Sequence, residues 1–228
     1  MPARPRRPLR LVLVPAVVAL RIALFGAVPA SAATPTITYS RDLYFAGSYE
    51  RQVDSRTCTA ASTAMMMNLI DRHDLNLPQM SILRFAQRRD ALVDAVQRGS
   101  DPLGWSRAAS YFSRYTAHPT VYRWESFSTK AAALRRAATQ LAMTSKPVGL
   151  VIRHGTHAVV MTGIRTTANP AQTQAFRVLA FSVSDPYGLA HTWYASSTSL
   201  LDTYRELDAT KIYDQAWYGK YVIIVPQG

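Results

Sequence analysis

Apolar residues recur at helical spacing through the first half of the chain and at strand spacing through the second. From Cys58 to about Asp71, the residues Ala60, Ala61, Ala64, Met65 and Leu69 follow without a breaker, which predicts a largely buried helix. A second helix is expected from about Gln79 to Gln97. Ile82, Leu83, Phe85, Ala86, Leu92, Val93 and Val96 form its apolar side, and Gly99 reads as its stop. Trp105–Tyr115 predicts a shorter helix. Ser128 reads as the N-cap of a helix over Thr129–Met143 that Pro147 terminates. Residues 33–55 are polar and irregular and read as a leading arm.

After Pro147 the period changes. Val148–Arg153, His157–Thr166, Ala175–Ser184, Ala190–Tyr194 and Lys220–Val225 are short β-rich runs between turn residues. Tight connections at Gly155-Thr156 and Thr167–Thr173 make an antiparallel sheet the economical arrangement. Helices followed by such a sheet predict an α+β fold, expected as a single domain over residues 33–228. The aromatic residues of the tail (Trp193, Tyr194, Tyr204, Tyr213, Trp217, Tyr218, Tyr221) and Met65-Met66-Met67 read as packing.

The N-terminus follows a different pattern. Arg4, Arg6, Arg7 and Arg10 precede the apolar run Leu11–Leu20, which continues after Arg21 over Ile22–Val28 and closes in Ala30-Ser31-Ala32. A basic start, an apolar middle and a small-x-small exit predict a secretory signal peptide over residues 1–32. Arg21 splits the apolar stretch, and Pro15 and Pro29 weaken its helix. Neither half then spans a bilayer core of about 30 Å, so no stable membrane anchor is expected after cleavage. The expected location is extracellular.

Charge must be read after that cleavage. The whole chain of 228 residues carries a formal net charge of +12, and removing five N-terminal arginines without any acid leaves +7. The remaining basic residues are scattered, with only short pairs such as Arg88-Arg89 and Arg135-Arg136 in helical patterns. That distribution argues against nucleic-acid binding and predicts only a weak attraction to an anionic cell envelope. One cysteine excludes a disulfide framework and a thiolate-rich zinc site. No phosphate-binding loop of the G-x-x-x-x-G-K-[ST] type and no G-x-S-x-G elbow occurs.

The candidate chemistry centres on that cysteine. A lone buried thiol is ordinarily inert packing, but Cys58 stands where the polar stretch Asp54-Ser55-Arg56-Thr57 meets a helix N-terminus. The positive end of the helix dipole favours a thiolate there. A nucleophilic cysteine needs a base held by a third group. His157 opens a strand beside a tight turn and is the preferred base over a purely structural role; His154 is its competitor. If Ala175–Ser184 is the next antiparallel strand, its far end returns to His157 and brings Asp185 with it. Read alone, Asp185-Pro186-Tyr187-Gly188 is equally a turn sequence. Gln52, six residues before Cys58, is a candidate oxyanion donor together with the Cys58 backbone N–H.

Taken in order, Gln52, Cys58, His157 and Asp185 resemble the papain-like cysteine peptidases. The Gln-x5-Cys spacing, the His-x-Val-Val strand ending in Gly163, and the following Asp-Pro-x-Gly are similar to the branch related to double-glycine leader peptidases, peptidase family C-39, in its stand-alone secreted form. The chain departs from that family in Cys58-Thr59-Ala60-Ala61, where Cys-Gly-Pro-Ala is usual, and in Thr156, where Gly commonly precedes the histidine. The resemblance implies a papain-like fold and a Cys58-His157-Asp185 triad with Gln52 at the oxyanion. It also implies a peptide or protein substrate, with no metal and no cofactor. A cell-wall amidohydrolase or acyltransferase with the same triad, and a non-catalytic secreted binding protein on the same fold, remain as alternatives.

Overall fold

A computed structural model describes residues 35–91, 99–205 and 214–228. The expected signal segment 1–32, residues 92–97 of the expected second helix, and Tyr213 lie outside the described residues. Those from Pro35 onward belong to one compact unit.

Helices occupy the first half and an antiparallel sheet the second, as the α+β pattern predicts. The helices are α1 (Cys58–Asp71), α2 (Gln79–Gln87), α3 (Pro102–Phe112), α4 (Lys130–Thr144) and the short α5 (Asp214–Trp217). The strands are β1 (Tyr39–Asp42), β2 (Tyr122–Phe127), β3 (Val148–Ile152), β4 (His157–Thr166), β5 (Val178–Asp185), β6 (Leu189–Ala195) and β7 (Tyr221–Pro226). The sheet runs β2-β7-β3-β4-β5-β6, with β1 paired to β4 beyond the end of β3. Every pairing is antiparallel.

Helix α1 is buried at every position from Cys58 to Ile70, which explains why its apolar residues do not fall into one stripe. Its small residues let it lie close to β4, where the Ser62 hydroxyl donates to the Ala158 carbonyl at 3.1 Å. Met65, Met66 and Met67 are fully buried, and so is Trp217, with Tyr204 close behind. These residues serve packing, as expected. Gly149 in β3 lies under Trp105 of α3, whose ring is 2.6 Å from where a Cβ would stand, so Gly149→Ala overpacks this contact. On the other face, Glu125 of β2 accepts both forks of Arg136 from α4 at 2.8 and 2.7 Å. Helices α3 and α4 therefore cover opposite faces at the β2-β7 end of the sheet.

Several boundaries differ from the sequence pattern for local reasons. The second helix stops at Gln87, because Arg89 and Asp90 close it with i→i−3 bonds to Ala86 and Gln87. Gly99 therefore does not end it. The third helix begins at Pro102 instead of Trp105, capped by the Asp101 carboxylate on the Gly104 N–H at 2.8 Å. The fourth is capped by Thr129, whose hydroxyl accepts from Ala132 N–H, and not by Ser128. Two strands were not anticipated: β1 within the leading arm that read as irregular, and β2 just before the fourth helix, where the sequence pattern placed no element.

Candidate active site

Cys58, His157 and Asp185 come from three elements and meet at one end of the sheet. Cys58 is the first residue of α1, His157 the first of β4 and Asp185 the last of β5. All three are buried, at 7%, 6% and 8% exposure, so their mutual interactions act in a low dielectric. His157 Nε2 lies 2.6 Å from Asp185 Oδ1. The Cys58 side chain interacts with the same imidazole and favours its protonated form. With Nε2 engaged by the carboxylate, Nδ1 is the nitrogen left for sulfur.

The electrostatics follow from that geometry. Burial disfavours a charged His157, but its hydrogen bond to Asp185, its interaction with Cys58 and the charges of both outweigh it and lift the imidazole to about 9. Burial also works against an ionised Asp185. The His157 hydrogen bond, the Tyr187 backbone N–H and the nearby Arg153 charge overcome it and hold the carboxyl below its ordinary range. That N–H donates to Asp185 Oδ1 at 2.8 Å, which fixes the carboxylate in the turn. The Tyr187 ring stands edge-on to the imidazole, with centroids 6.4 Å apart, and the Arg153 guanidinium sits over its face.

Helix α1 presents its N-terminus without a side-chain cap. The Thr57 hydroxyl is taken by Asp54, donating to its carbonyl and accepting from its N–H. The first helical bond joins Ala61 N–H to the Thr57 carbonyl, so the N–H of Cys58 is outside the ladder and has no hydrogen-bond partner among the described residues.

Gln52 lies in the loop leading to Cys58 and is tied to the Asp185 turn through its backbone N–H, which donates to the Pro186 carbonyl at 3.0 Å. Its side-chain amide donates one N–H to the Asp54 carbonyl at 2.9 Å. The second N–H has no partner among the described residues, and Oε1 is buried without one.

One residue escaped the sequence reading. Gln79, the first residue of α2, is buried and grips the backbone on both sides of Gln52. Its Nε2 donates to the Arg51 carbonyl at 2.8 Å, and its Oε1 accepts from Val53 N–H at 3.1 Å. Its only sequence signal was its position after Pro78, which reads as a helix start. The two contacts span 28 and 26 residues, and local pattern cannot reach that far.

The competing base lies elsewhere. His154 sits at a left-handed φ of 60° in the turn Arg153–Gly155. Its backbone N–H donates to Asp202, and its Nδ1 faces the Thr203 carbonyl and Asp202 Oδ2 at 3.2 and 3.3 Å. It pins the loop after β6 and is not hydrogen-bonded to Cys58. Another pair, His191 Nε2 and Asp42 Oδ2 at 2.9 Å, lies beside the stacked ring of Tyr44.

No protein-family model matches the chain, and no curated protein matches it. The chain aligns with the crystal structure of UfSP from C. elegans at 16% identity and a TM-score of 0.45. The alignment covers 79% of this chain and 32% of that one, so the chain spans about a third of that protein's length. Among the described residues no cluster of three or more His, Cys, Asp or Glu can hold a metal ion, and no helix is long and apolar enough to cross a membrane.

Proposed function

We propose that the protein is a cysteine peptidase that cleaves peptide bonds through Cys58, His157 and Asp185. The observation that carries this reading is the buried hydrogen bond of His157 to Asp185, with the Cys58 side chain interacting with the same imidazole. The Cys58 proton passes to His157 Nδ1 before the attack. The thiolate sulfur then bonds to the carbonyl carbon of the substrate as the carbonyl π electrons move onto its oxygen. The imidazolium then gives that proton to the departing amine, which leaves a thioester. Water attacks the thioester, His157 takes its proton and returns it to sulfur, and the acid product departs. Asp185 holds the imidazole in the orientation that keeps Nδ1 facing sulfur. The Cys58 N–H and the free N–H of Gln52 are the donors for the oxyanion.

The finer assignment, to the stand-alone relatives of the C-39 peptidases, rests on Gln52-x5-Cys58, the strand from His157 and the Asp185-Pro186-Tyr187-Gly188 turn. It includes export by residues 1–32 and an extracellular site of action. A mixed peptide library incubated with the protein should yield defined cleavage products, and prior alkylation with iodoacetamide should abolish them. Acyl transfer or amidase chemistry without peptide cleavage would reassign the substrate while keeping the triad.

Gln52 and Gln79 give a second test of the same site. Gln52→Ala should lower kcat by about 10² by removing an oxyanion donor, with little change in KM or in the rate of thiol alkylation. Gln79→Leu touches no substrate but frees the loop that carries Gln52. It should lower kcat by about tenfold, again with KM and alkylation nearly unchanged. Combining the two should cost little more than Gln52→Ala alone, because both act through one donor. Additive losses would show that Gln79 acts on something other than Gln52.

A further inference from the structure

A groove of about 1000 Å³ opens between α3 and the start of β2. We propose that it binds an extended acidic peptide segment. Four arginines, Arg89, Arg107, Arg114 and Arg123, line it, and among the described residues no aspartate or glutamate does. None of the four is paired to a carboxylate among the described residues. Among the described residues, the groove therefore gathers positive charge with no carboxylate in its wall to offset it, which concentrates anions at its mouth.

Two of the guanidinium groups are held in place without being neutralised. Arg89 lies over the Phe85 ring at 3.5 Å and Arg114 over the Tyr111 ring at 5.4 Å. The Arg107 guanidinium donates to the Arg89 carbonyl at 3.2 Å, which brings these two cations to one wall. Arg107, Tyr111 and Arg114 follow helical spacing along that wall, so charge alternates with an aromatic face. Such side chains are pre-set for carboxylates, which a guanidinium takes through two parallel hydrogen bonds.

The opposite wall favours a peptide over other polyanions. Strand β2 is an edge of the sheet, bonded only to β7. Tyr122 directs its N–H and carbonyl away from β7, where both are taken by the Ser110 hydroxyl at 2.8 and 3.0 Å. By the alternation of an antiparallel pair, Trp124 directs its own N–H and carbonyl to the same outer side. Neither has a partner among the described residues. Trp124 also lines the groove, so an extended chain entering it meets a free backbone edge beside the arginines.

The site is separate from Cys58 and does not rest on the peptidase reading. Tyr122 stands opposite Pro226 at the end of β7 remote from Tyr221, whereas His157 pairs with Ile152 at the other end of the sheet. None of Gln52, Cys58, His157 and Asp185 lines the groove.

The test uses the full chain carrying Cys58→Ala, so that no probe is cleaved, and fluorescence anisotropy of a labelled octapeptide of alternating Glu and Val. Saturable binding that weakens with rising salt is expected, and the Lys-Val counterpart should not bind. Arg107→Glu with Arg114→Glu should weaken binding by about tenfold or more; both are exposed, so the thermal melt should not move. Arg123→Glu is the independent check on the opposite wall and should act in the same direction. N-methylation of alternate peptide residues should also weaken binding by about tenfold, because it removes the donors that face the β2 edge. Absence of saturable binding, or binding indifferent to charge reversal, overturns the proposal. Equal binding of the methylated peptide or of an oligothymidylate of the same length also overturns it, and reduces the groove to a general anion surface.

Discussion

Replacing His157 by alanine should reduce peptide turnover by about 10⁴-fold, while His154→Ala should leave it within about twofold of the parent. His157 is buried between the Cys58 thiol and the Asp185 carboxylate, so its loss removes both the acceptor of the thiol proton and the donor to the leaving amine. Cys58→Ala should be at least as severe, and the double variant no worse than either single one, because the two residues act as a unit. His154 contacts Asp202 and Thr203 instead, and its substitution should appear as a small loss of stability at a backbone position with φ of 60°. Steady-state assays on one cleaved peptide, paired with thermal melts, separate the two outcomes. Equal loss of turnover in both histidine variants would mean that the base has been misassigned.

The second large effect is expected at Asp185, and it has a pH signature. Asp185→Ala removes the acceptor that orients the imidazole and should lower kcat by about 10³. Asp185→Asn keeps an oxygen at that position but removes its charge. The parent imidazole titrates at about 9, so the protonated form needed by the leaving amine persists through neutral pH and is lost as pH rises through that value. The alkaline limb of kcat/KM should therefore lie near pH 9 in the parent. In Asp185→Asn it should move down by about one to two units, because a neighbouring opposite charge has gone. An unmoved limb would show that Asp185 does not set the charge of His157.

The same shift couples the pair to folding. A histidine raised above its unfolded value near 6.5 contributes its full stabilisation below that value. The contribution fades as pH rises through about 9. Asp185, lowered in the folded protein, contributes above the ordinary carboxylate range and loses that contribution only as pH falls through its lowered value. The pair therefore stabilises the fold most between the ordinary carboxylate range and the unfolded histidine value near 6.5, and progressively less beyond either.

The order of elements was written in local pattern. Helical spacing from Cys58, strand runs after Pro147 and turn residues at Gly155 and Gly188 were enough to place the α+β fold and the α1 and β4 boundaries. The position of Cys58 at a helix start and of His157 at a strand start could be read for the same reason, since each depends on neighbours within a few residues. Strands β1 and β2 were missed because their stability comes from partners far along the chain, Gly163–Thr166 and Tyr221–Pro226. A four-residue strand such as Tyr39–Asp42 carries too little periodicity to stand out from a loop. The Gln79 clamp and the arginine groove were illegible for a related reason. Each joins separate segments, and the distance between those segments along the chain follows no period.

What tertiary structure alone decided is the face on which Asp185 emerges. Between Gly163 and Arg165, β4 pairs with β5 in the register Gly163↔Ser182, Ile164↔Phe181 and Arg165↔Ala180. Carried on unchanged, that register sets Asp185 across from Val160 and turns its carboxylate to the face opposite His157. The strands slip at Thr162, so that Met161 meets Val183 and Val160 meets Ser184. Asp185 then stands across from Val159, on the face that His157 shares. The extra residue, Thr162, is held both from outside the hairpin and from within it. Its carbonyl accepts the Leu43 N–H at 2.8 Å, and its hydroxyl meets that of Ser182 at 2.9 Å. Sequence determined that a histidine begins one strand and an aspartate ends the next. A bulge of one residue, secured by a segment more than a hundred residues earlier, determined that they meet, because side chains alternate across a strand and a single step exchanges the faces.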